Sequence, residues 1–225
     1  MRLNYRPPYD WDRMLAFFQD RAIPGVEHVA DGVYRRSIRL SAGRGSLAVR
    51  HACKGLAVEL EVCLTDNRLL MAVVERARRM FDLDANPQAI HRTLAADPLL
   101  QKRIRRAPGL RLPGSWDPFE AAIRAVVGQQ ISVKGAVTQL GRIVRLAGPS
   151  LGKGRSTVLR RYFPTPAELA ATDMASIGMP EKRKTTIGLL SRKVASGELK
   201  LEAAGGLSRF VDTLTALPGI GSWTA

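Results

Sequence analysis

The spacing of apolar residues changes near residue 86, and this change limits the possible folds of the chain more than any other feature. Before it, residues 32–40, 45–53 and 56–64 are short apolar or β-branched segments separated by glycines, a pattern typical of strands. After it, apolar residues recur at helical spacing. The sequence therefore predicts an α+β protein, with a small antiparallel-sheet domain over residues 1–86 and an all-α domain over residues 87–225.

Four helix starts in the second part of the chain carry a capping residue followed by proline, which is the usual N-terminal signature of a helix. They are Asn86-Pro87, Asp97-Pro98, Asp117-Pro118 and Thr165-Pro166. The last two add a glutamate three residues after the cap, as a capping box does. In the first part, helices are predicted to begin at Asp10-Trp11 and to span residues 68–81, and residues 148–154 predict a loop.

Few titratable residues in the sequence call for a catalytic or metal-binding interpretation. Glu120 lies three residues after Asp117, so it is predicted to belong to a helix start rather than to a catalytic site. The two cysteines, Cys53 and Cys63, are predicted to be reduced residues of a sheet, and they are too few for a four-thiolate iron–sulfur site. The three histidines have no metal-ligand spacing, and neither a metal nor a cofactor is predicted.

The charge of the chain is strongly positive and unevenly distributed. The formal net charge is +15, and residues 91–225 hold 21 basic and 9 acidic residues. Such a field attracts polyanions, although ribosomal and membrane-surface proteins share the property. The sequence contains no apolar stretch long enough to cross a bilayer and no signal peptide, so a cytoplasmic protein without a membrane partner is predicted.

The last nineteen residues contain the most informative motif. Residues 207–217 have helical spacing, and Pro218-Gly219-Ile220-Gly221 then precedes a second helix start at Ser222. Glycines allow a positive φ and a close approach of phosphate to the backbone, and the first amides of a helix are unpaired. This helix–hairpin–helix predicts a phosphate-binding hairpin of Pro218, Gly219, Ile220, Gly221 and Ser222; an ordinary Pro-Gly turn between packed helices is the alternative.

The hairpin and its flanks resemble the helix–hairpin–helix DNA glycosylases, specifically the 3-methyladenine DNA glycosylase II (AlkA-like) branch. Further segments resemble that branch in the order in which it carries them. They are residues 4–11, 81–87, 111–114, 119–120, 127–132, 163–166 and 177–183, followed by the hairpin at 217–225. The resemblance covers nearly the whole chain. It implies that the helical domain is a glycosylase domain and that the partner is double-stranded DNA containing alkylated bases, bound by a monomer.

The resemblance also implies roles for individual residues. Gln130 matches the residue that is inserted into the duplex when a nucleotide is everted, a position where the best-known members of the branch carry Leu. Gln129, Phe17 and Trp223 match positions of the base pocket, where aromatic rings attract positively charged alkylated purines. Lys182 and Arg183 match no catalytic position and are expected to be solvated or to face phosphate.

The expected chemistry is hydrolysis of the N-glycosidic bond. Bifunctional relatives carry a lysine at the position of Trp223, so this chain is expected to be monofunctional. The family's catalytic Asp lies about twenty residues beyond the hairpin, where it stabilises an oxocarbenium-like transition state. The sequence ends at Ala225, so the chain is expected to be C-terminally truncated relative to the family, to contain no catalytic residue and to show little or no glycosylase activity by itself.

Two other interpretations stay open at the level of sequence. The hairpin and the basic helical domain could form a non-catalytic DNA-binding module. A different specificity within the family, for uracil or oxidised purines, is disfavoured by Trp223 and by the AlkA-like N-terminal segment.

Overall fold

A computed structural model describes residues 1–152, 156–202 and 206–225. The chain divides into two compact units. The sheet unit consists of Met1–Ala22 and Glu27–Trp116, and the helical unit consists of Ile23–Val26 and Asp117–Ala225. Each unit has its own apolar core.

The sheet unit contains one antiparallel sheet of five strands in the order β1-β5-β4-β3-β2. Its strands are β1 (Arg2–Asn4), β2 (Glu27–Ala30), β3 (Val33–Leu40), β4 (Gly43–His51) and β5 (Ala57–Leu64). The three strands that the sequence predicts are confirmed as β3, β4 and β5, with ends within two residues of the predicted ones. The prediction misses β1 and β2, because three or four residues are too short to display a period of two.

One face of the sheet is buried, and it includes an ion pair. Tyr34 and Arg36 of β3 lie opposite Val49 and Leu47 of β4, and all four side chains are buried. The Arg36 guanidinium lies 3.8 Å from a carboxylate oxygen of Glu27, which also accepts a 2.6 Å hydrogen bond from the Tyr34 hydroxyl. A buried carboxylate needs such partners, because desolvation of an unpaired charge is costly.

Three of the four described helices of the sheet unit begin where the sequence predicts, and α2 begins two residues later than predicted. They are α1 (Trp11–Arg21), α2 (Leu70–Met80), α3 (Pro87–Leu94) and α4 (Pro98–Arg106), with a 3₁₀ turn at Asn67–Leu69 before α2. Asp10, Asn86 and Asp97 accept hydrogen bonds from backbone amides of the first turns of α1, α3 and α4. The cap-plus-proline starts at residues 86 and 97 are therefore confirmed.

The sheet unit ends about thirty residues later than the domain boundary placed at residue 86 by sequence. Arg111 donates hydrogen bonds to the carbonyls of Asp82, Arg6 and Pro8, and Trp116 is buried in the core of the sheet unit. Long-range bonds of this kind leave no periodic signal. As a result, α3 and α4 belong to the sheet unit, although the sequence predicts them in the helical domain. Ile23–Val26 belongs to the helical unit.

The helical unit consists of α5 (Pro118–Gly128), α6 (Val133–Ala147), α7 (Pro166–Ala170), α8 (Glu181–Ala195) and α9 (Leu207–Thr215) among the described residues. Asp117 caps α5, and Thr165 with Glu168 forms the predicted capping box of α7. Of the predicted loop at 148–154, residues 148–152 lie between α6 and α7 outside any helix, and residues 153 and 154 lie outside the described residues. A sheet unit followed by a helical unit confirms the predicted fold class.

Candidate nucleic-acid interface

The predicted hairpin follows α9 and is anchored by apolar side chains. Leu214 near the end of α9, Leu217 and Ile220 are all buried in the core of the helical unit. The Ile220 amide donates to the Leu217 carbonyl at 3.1 Å and closes the turn. Pro218, Gly219, Gly221 and Ser222, which lie between and after these anchors, are exposed. The anchors therefore present the glycine-rich backbone to solvent.

The two hairpin glycines have different structural roles. Gly219 has a φ of +88°, and a Cβ at this position would lie 2.1 Å from Oγ1 of Thr186 on α8. Both the backbone angle and the lack of space require glycine there. Gly221 has an ordinary φ, and a Cβ added to it would meet nothing within 4 Å. The folded chain itself gives no reason for glycine at position 221.

Two side chains hold the carbonyl groups of the hairpin inward. The Thr186 hydroxyl lies 2.9 Å from the Pro218 oxygen and 3.0 Å from the Lys182 oxygen, and its single proton serves these two acceptors. The side-chain nitrogen of Gln129, Nε2, donates to the Gly219 carbonyl oxygen at 2.9 Å. Because C=O and N–H of a trans peptide point in opposite directions, holding Pro218 O toward α8 turns the Gly219 N–H away from α8.

Several hairpin amides are available to an external acceptor. Within the described part of the chain, the amides of Gly219, Gly221 and Ser222 donate to no protein acceptor. The chain after Gly221 makes one helical turn, in which the Thr224 and Ala225 amides donate to the Gly221 carbonyl at 2.9 and 3.1 Å. Gly221 and Ser222 thus have the unpaired amides of a helix start, the arrangement that binds phosphate groups in proteins.

The Gln130 loop, residues 130–132, connects α5 to α6, and Gln130 itself is exposed with a φ of +56°. This left-handed conformation is uncommon for a residue other than glycine. Ser132 then caps α6 by accepting a hydrogen bond from the Gly135 amide at 3.2 Å. An exposed side chain at a sharp turn between two helices has the location that an inserted residue needs, and insertion of Gln130 stays a prediction.

A cavity of about 600 Å³ lies between the Gln130 loop and the hairpin. Its lining includes Gln129, Gln130, Gly219 and Trp223, together with Arg124, Ala125, Gly128 and Thr224. The Trp223 side chain is fully exposed, with a relative accessibility of 100%. The structure therefore brings Gln129 and Trp223 to one cavity, and their contact with a base stays a prediction.

Phe17, the third predicted pocket residue, lies on α1 in the sheet unit. Its ring packs edge-on against Phe18, with the ring centroids 5.8 Å apart, and the Arg21 guanidinium lies 3.9 Å from its centroid. One face of the ring therefore already holds a cation of the protein, and contact of Phe17 with a base stays a prediction.

Sequence reasoning missed the residues that support the hairpin from α8. Thr186 is buried, and the sequence offers no motif that marks it. Arg183 was expected to be solvated or to face phosphate, but it is only half-exposed and its Nη2 donates to the Gln129 carbonyl at 2.6 Å. Contact of Arg183 with phosphate stays a prediction. Its bond to Gln129 could not be predicted, because Glu181, Lys182 and Lys184 around it have the sequence pattern of an exposed charged face.

Glu120 is buried and pairs with Arg124 one turn later on α5, with its oxygen 3.0 and 2.8 Å from two guanidinium nitrogens. Asp117 accepts hydrogen bonds from the amides of Phe119 and Glu120, as a cap does. Glu120 thus orients Arg124, which lines the cavity.

No group of three or more His, Cys, Asp or Glu side chains among the described residues could hold a metal ion. Cys53 and Cys63 are free and exposed. Cys63 lies in β5, but Cys53 lies in the connection between β4 and β5, so the prediction that both belong to the sheet is wrong for Cys53. None of the described helices is long and apolar enough to span a membrane.

Comparison with known sequences identifies relatives of the whole chain. A family model described as the AlkA N-terminal domain matches residues 1–117. The chain is 39% identical over 225 residues to the probable bifunctional transcriptional activator/DNA repair enzyme AlkA of Mycobacterium tuberculosis, covering 100% of this chain and 45% of that protein. It is 35% identical over 227 residues to DNA-3-methyladenine glycosylase 2 of Escherichia coli, covering 99% of this chain and 77% of that protein. The chain thus spans less than half the length of the mycobacterial relative.

Solved structures with the same fold include two glycosylases. A 3-methyladenine DNA-glycosylase from Archaeoglobus fulgidus matches with a TM-score of 0.82 and 23% identity, over 100% of this chain and 76% of that one. An 8-oxoguanine glycosylase/lyase of Clostridium acetobutylicum, in complex with double-stranded DNA, matches with a TM-score of 0.66 and 20% identity, over 91% and 68%. These structures show the fold, and the family model together with the Escherichia coli relative shows that the chain belongs to the AlkA family of DNA-3-methyladenine glycosylases.

Proposed function

We propose that the chain functions in a base-excision repair glycosylase, which everts an alkylated purine from duplex DNA and hydrolyses its N-glycosidic bond. The observation that carries the proposal is the outward direction of the Gly219 amide, together with the unpaired amides of Gly221 and Ser222 beside a cavity. Amides in this arrangement bind a phosphate oxygen without reading base sequence. A repair enzyme that must search all sequences needs contacts of this kind.

The cavity supports an alkylated purine as the base. Its volume of about 600 Å³ lies in the range of small-molecule sites. The exposed indole of Trp223 offers an electron-rich face, and a cationic base over such a face gains about 0.5–2 kcal/mol. A neutral base lacks this attraction. Gln130 would occupy the gap that eversion leaves in the duplex, which offsets part of a cost of a few kcal/mol.

Hydrolysis without lyase activity is proposed because Trp223 stands where a Schiff-base lysine would be needed. The catalytic Asp is expected about twenty residues beyond the hairpin. We therefore propose that residues 1–225 alone bind and evert the nucleotide but release the base slowly, and that chemistry is tested on a chain extended through that Asp.

The binding step is tested with residues 1–225 and two duplexes of the same sequence, one intact and one containing a tetrahydrofuran abasic analogue. The analogue removes most of the cost of eversion, so a glycosylase should bind it at least about tenfold more tightly. Both affinities should fall steeply with salt. Equal affinities for the two duplexes would contradict the proposal and support a non-catalytic DNA-binding module.

The chemical step is tested by single-turnover release from duplexes that contain 7-methylguanine, uracil or 8-oxoguanine. The extended chain should release 7-methylguanine fastest and leave the abasic strand uncut. Faster release of uracil or 8-oxoguanine would contradict the proposed substrate class, and strand cleavage would contradict the hydrolytic mechanism.

A further inference from the structure

The side chain of Gln129 connects the hairpin to the helical turn that follows it. Its amide group lies 2.9 Å from the Gly219 carbonyl oxygen and 3.0 Å from Oγ1 of Thr224. A carbonyl oxygen can only accept, so the atom facing Gly219 must be the nitrogen. An amide nitrogen has two protons, and both are used within the protein.

The backbone of Gln129 is held as firmly as its side chain. Its carbonyl oxygen accepts a 2.6 Å hydrogen bond from Arg183, and its amide donates to the Val126 carbonyl at 3.4 Å. The next residue is Gln130, whose φ of +56° begins the turn into the exposed loop. Arg183 of α8 therefore holds the carbonyl oxygen of the peptide between Gln129 and Gln130. The Gln129 side chain connects the same residue to the hairpin.

Arg183 and Thr186 lie three residues apart, on one face of α8. Arg183 binds the carbonyl that precedes the Gln130 loop, and Thr186 binds the Pro218 carbonyl of the hairpin. Helix α8 thus gives the loop and the hairpin a common support. Gln129 adds a direct bond between them, across 90 residues of sequence.

We propose that Gln129 is a positioning residue, which holds Gln130 in register with the phosphate-binding hairpin. The proposal rests on the proposed function and deepens it. A phosphate bound at Gly219 and a side chain inserted at Gln130 must act on neighbouring nucleotides of one strand. A rigid connection between the two sets which nucleotide is everted relative to the bound phosphate. Affinity for the phosphate and eversion of the base should therefore be separable by mutation at position 129.

The test replaces Gln129 by Glu, which keeps the length but removes both donors, and separately by Met, which removes all hydrogen bonding. The matched control is Gln139→Glu on α6. The side-chain nitrogen of Gln139 also donates to a glycine carbonyl, 2.8 Å away on Gly178. Gln139 is a suitable control because this bond does not involve the hairpin. Thermal unfolding of each variant reports whether the helical unit stays folded.

Two quantities are measured on residues 1–225 with a duplex that contains one 2-aminopurine beside a mismatched nucleotide. Anisotropy of a labelled duplex gives Kd and its salt dependence, and 2-aminopurine emission at saturating protein gives the fraction of unstacked nucleotides. The salt slope counts phosphate contacts and should stay unchanged in the Gln129 variants. Loss of two hydrogen bonds should lower the eversion equilibrium about tenfold. The mismatch is chosen so that about half of the bound nucleotides are everted in the unmodified complex; because the stacked complex keeps its phosphate contacts, Kd should then change less than threefold.

A purely structural role would lower affinity and eversion together, or lower only the unfolding temperature. Normal eversion by both Gln129 variants, or parallel loss of affinity and eversion, would overturn the inference. An equal effect of Gln139→Glu would also overturn it. If the unmodified chain bound duplex but never raised the emission, the proposed function itself would fail, which is a different result from normal eversion by the variants.

Discussion

Replacing Gly219 by Ala should damage the hairpin by an amount that the structure allows to be worked out. At a φ of +88°, a side chain costs about 1–2 kcal/mol through its clash with the backbone. The new Cβ would also lie 2.1 Å from Oγ1 of the buried Thr186. Moving this hydroxyl breaks its bond to Pro218 O, which costs about 0.5–1.5 kcal/mol more. The free energy of unfolding should fall by about 1.5–3.5 kcal/mol.

Gly197→Ala is the control, because it separates backbone strain from the contact with Thr186. Gly197 follows α8 with a φ of +77°, and a Cβ there would meet nothing within 4 Å. This variant should lose only the strain, about 1–2 kcal/mol, and keep its DNA affinity. Urea denaturation and duplex binding by anisotropy measure both variants.

The affinity of Gly219→Ala for duplex should fall at least about tenfold, because the Gly219 amide no longer points outward when the Pro218 carbonyl is released. The reasoning is refuted if Gly219→Ala is no less stable than Gly197→Ala and binds duplex as tightly as the unmodified chain.

Three further variants test other parts of the structure. Gly221→Ala should keep its stability within about 0.5 kcal/mol, since a Cβ there meets nothing. It should bind duplex more weakly if phosphate approaches this position as proposed, and unchanged affinity would contradict that approach. Trp223→Ala should likewise remain stable, because the side chain is fully exposed. In a competition assay, its preference for cationic 7-methylguanine over guanine should fall by about 0.5–2 kcal/mol. An unchanged preference would exclude Trp223 from the base pocket. Arg36→Met, which removes the guanidinium beside the buried Glu27 carboxylate, should lower the free energy of unfolding by about 3–5 kcal/mol in urea denaturation. A loss below about 1 kcal/mol would show that this interaction is dispensable.

Features of the fold that arise from neighbouring residues were predictable from sequence. Asp97 and Asp117 cap their helices through amides two or three residues away, so the signal and its effect lie within one turn. Strands β3, β4 and β5 are long enough to show their pattern. The boundary of the sheet unit was not predictable in this way, because it depends on Arg111 bonding to residues near the N-terminus, about a hundred positions away.

The same distinction applies to the candidate site. The hairpin could be recognised because its glycines and buried anchors lie within a few consecutive residues. The residues that support the hairpin could not be predicted from the sequence, because Gln129 and Gly219 are 90 residues apart and Thr186 belongs to no motif. The family resemblance assigned Gln129 to the base pocket, and its contact with a base stays a prediction. Only the structure shows that its amide protons are already bonded within the protein.

The central claim, that hairpin amides bind the DNA backbone, is tested most directly by NMR of the ¹⁵N-labelled chain during titration with a short duplex. The amide protons of Gly219 and Gly221 should shift downfield as they donate to a phosphate. A single uncharged methylphosphonate at the contacted position should reduce these shifts and weaken binding. Saturated binding with the Gly219 and Gly221 resonances unmoved would contradict the account.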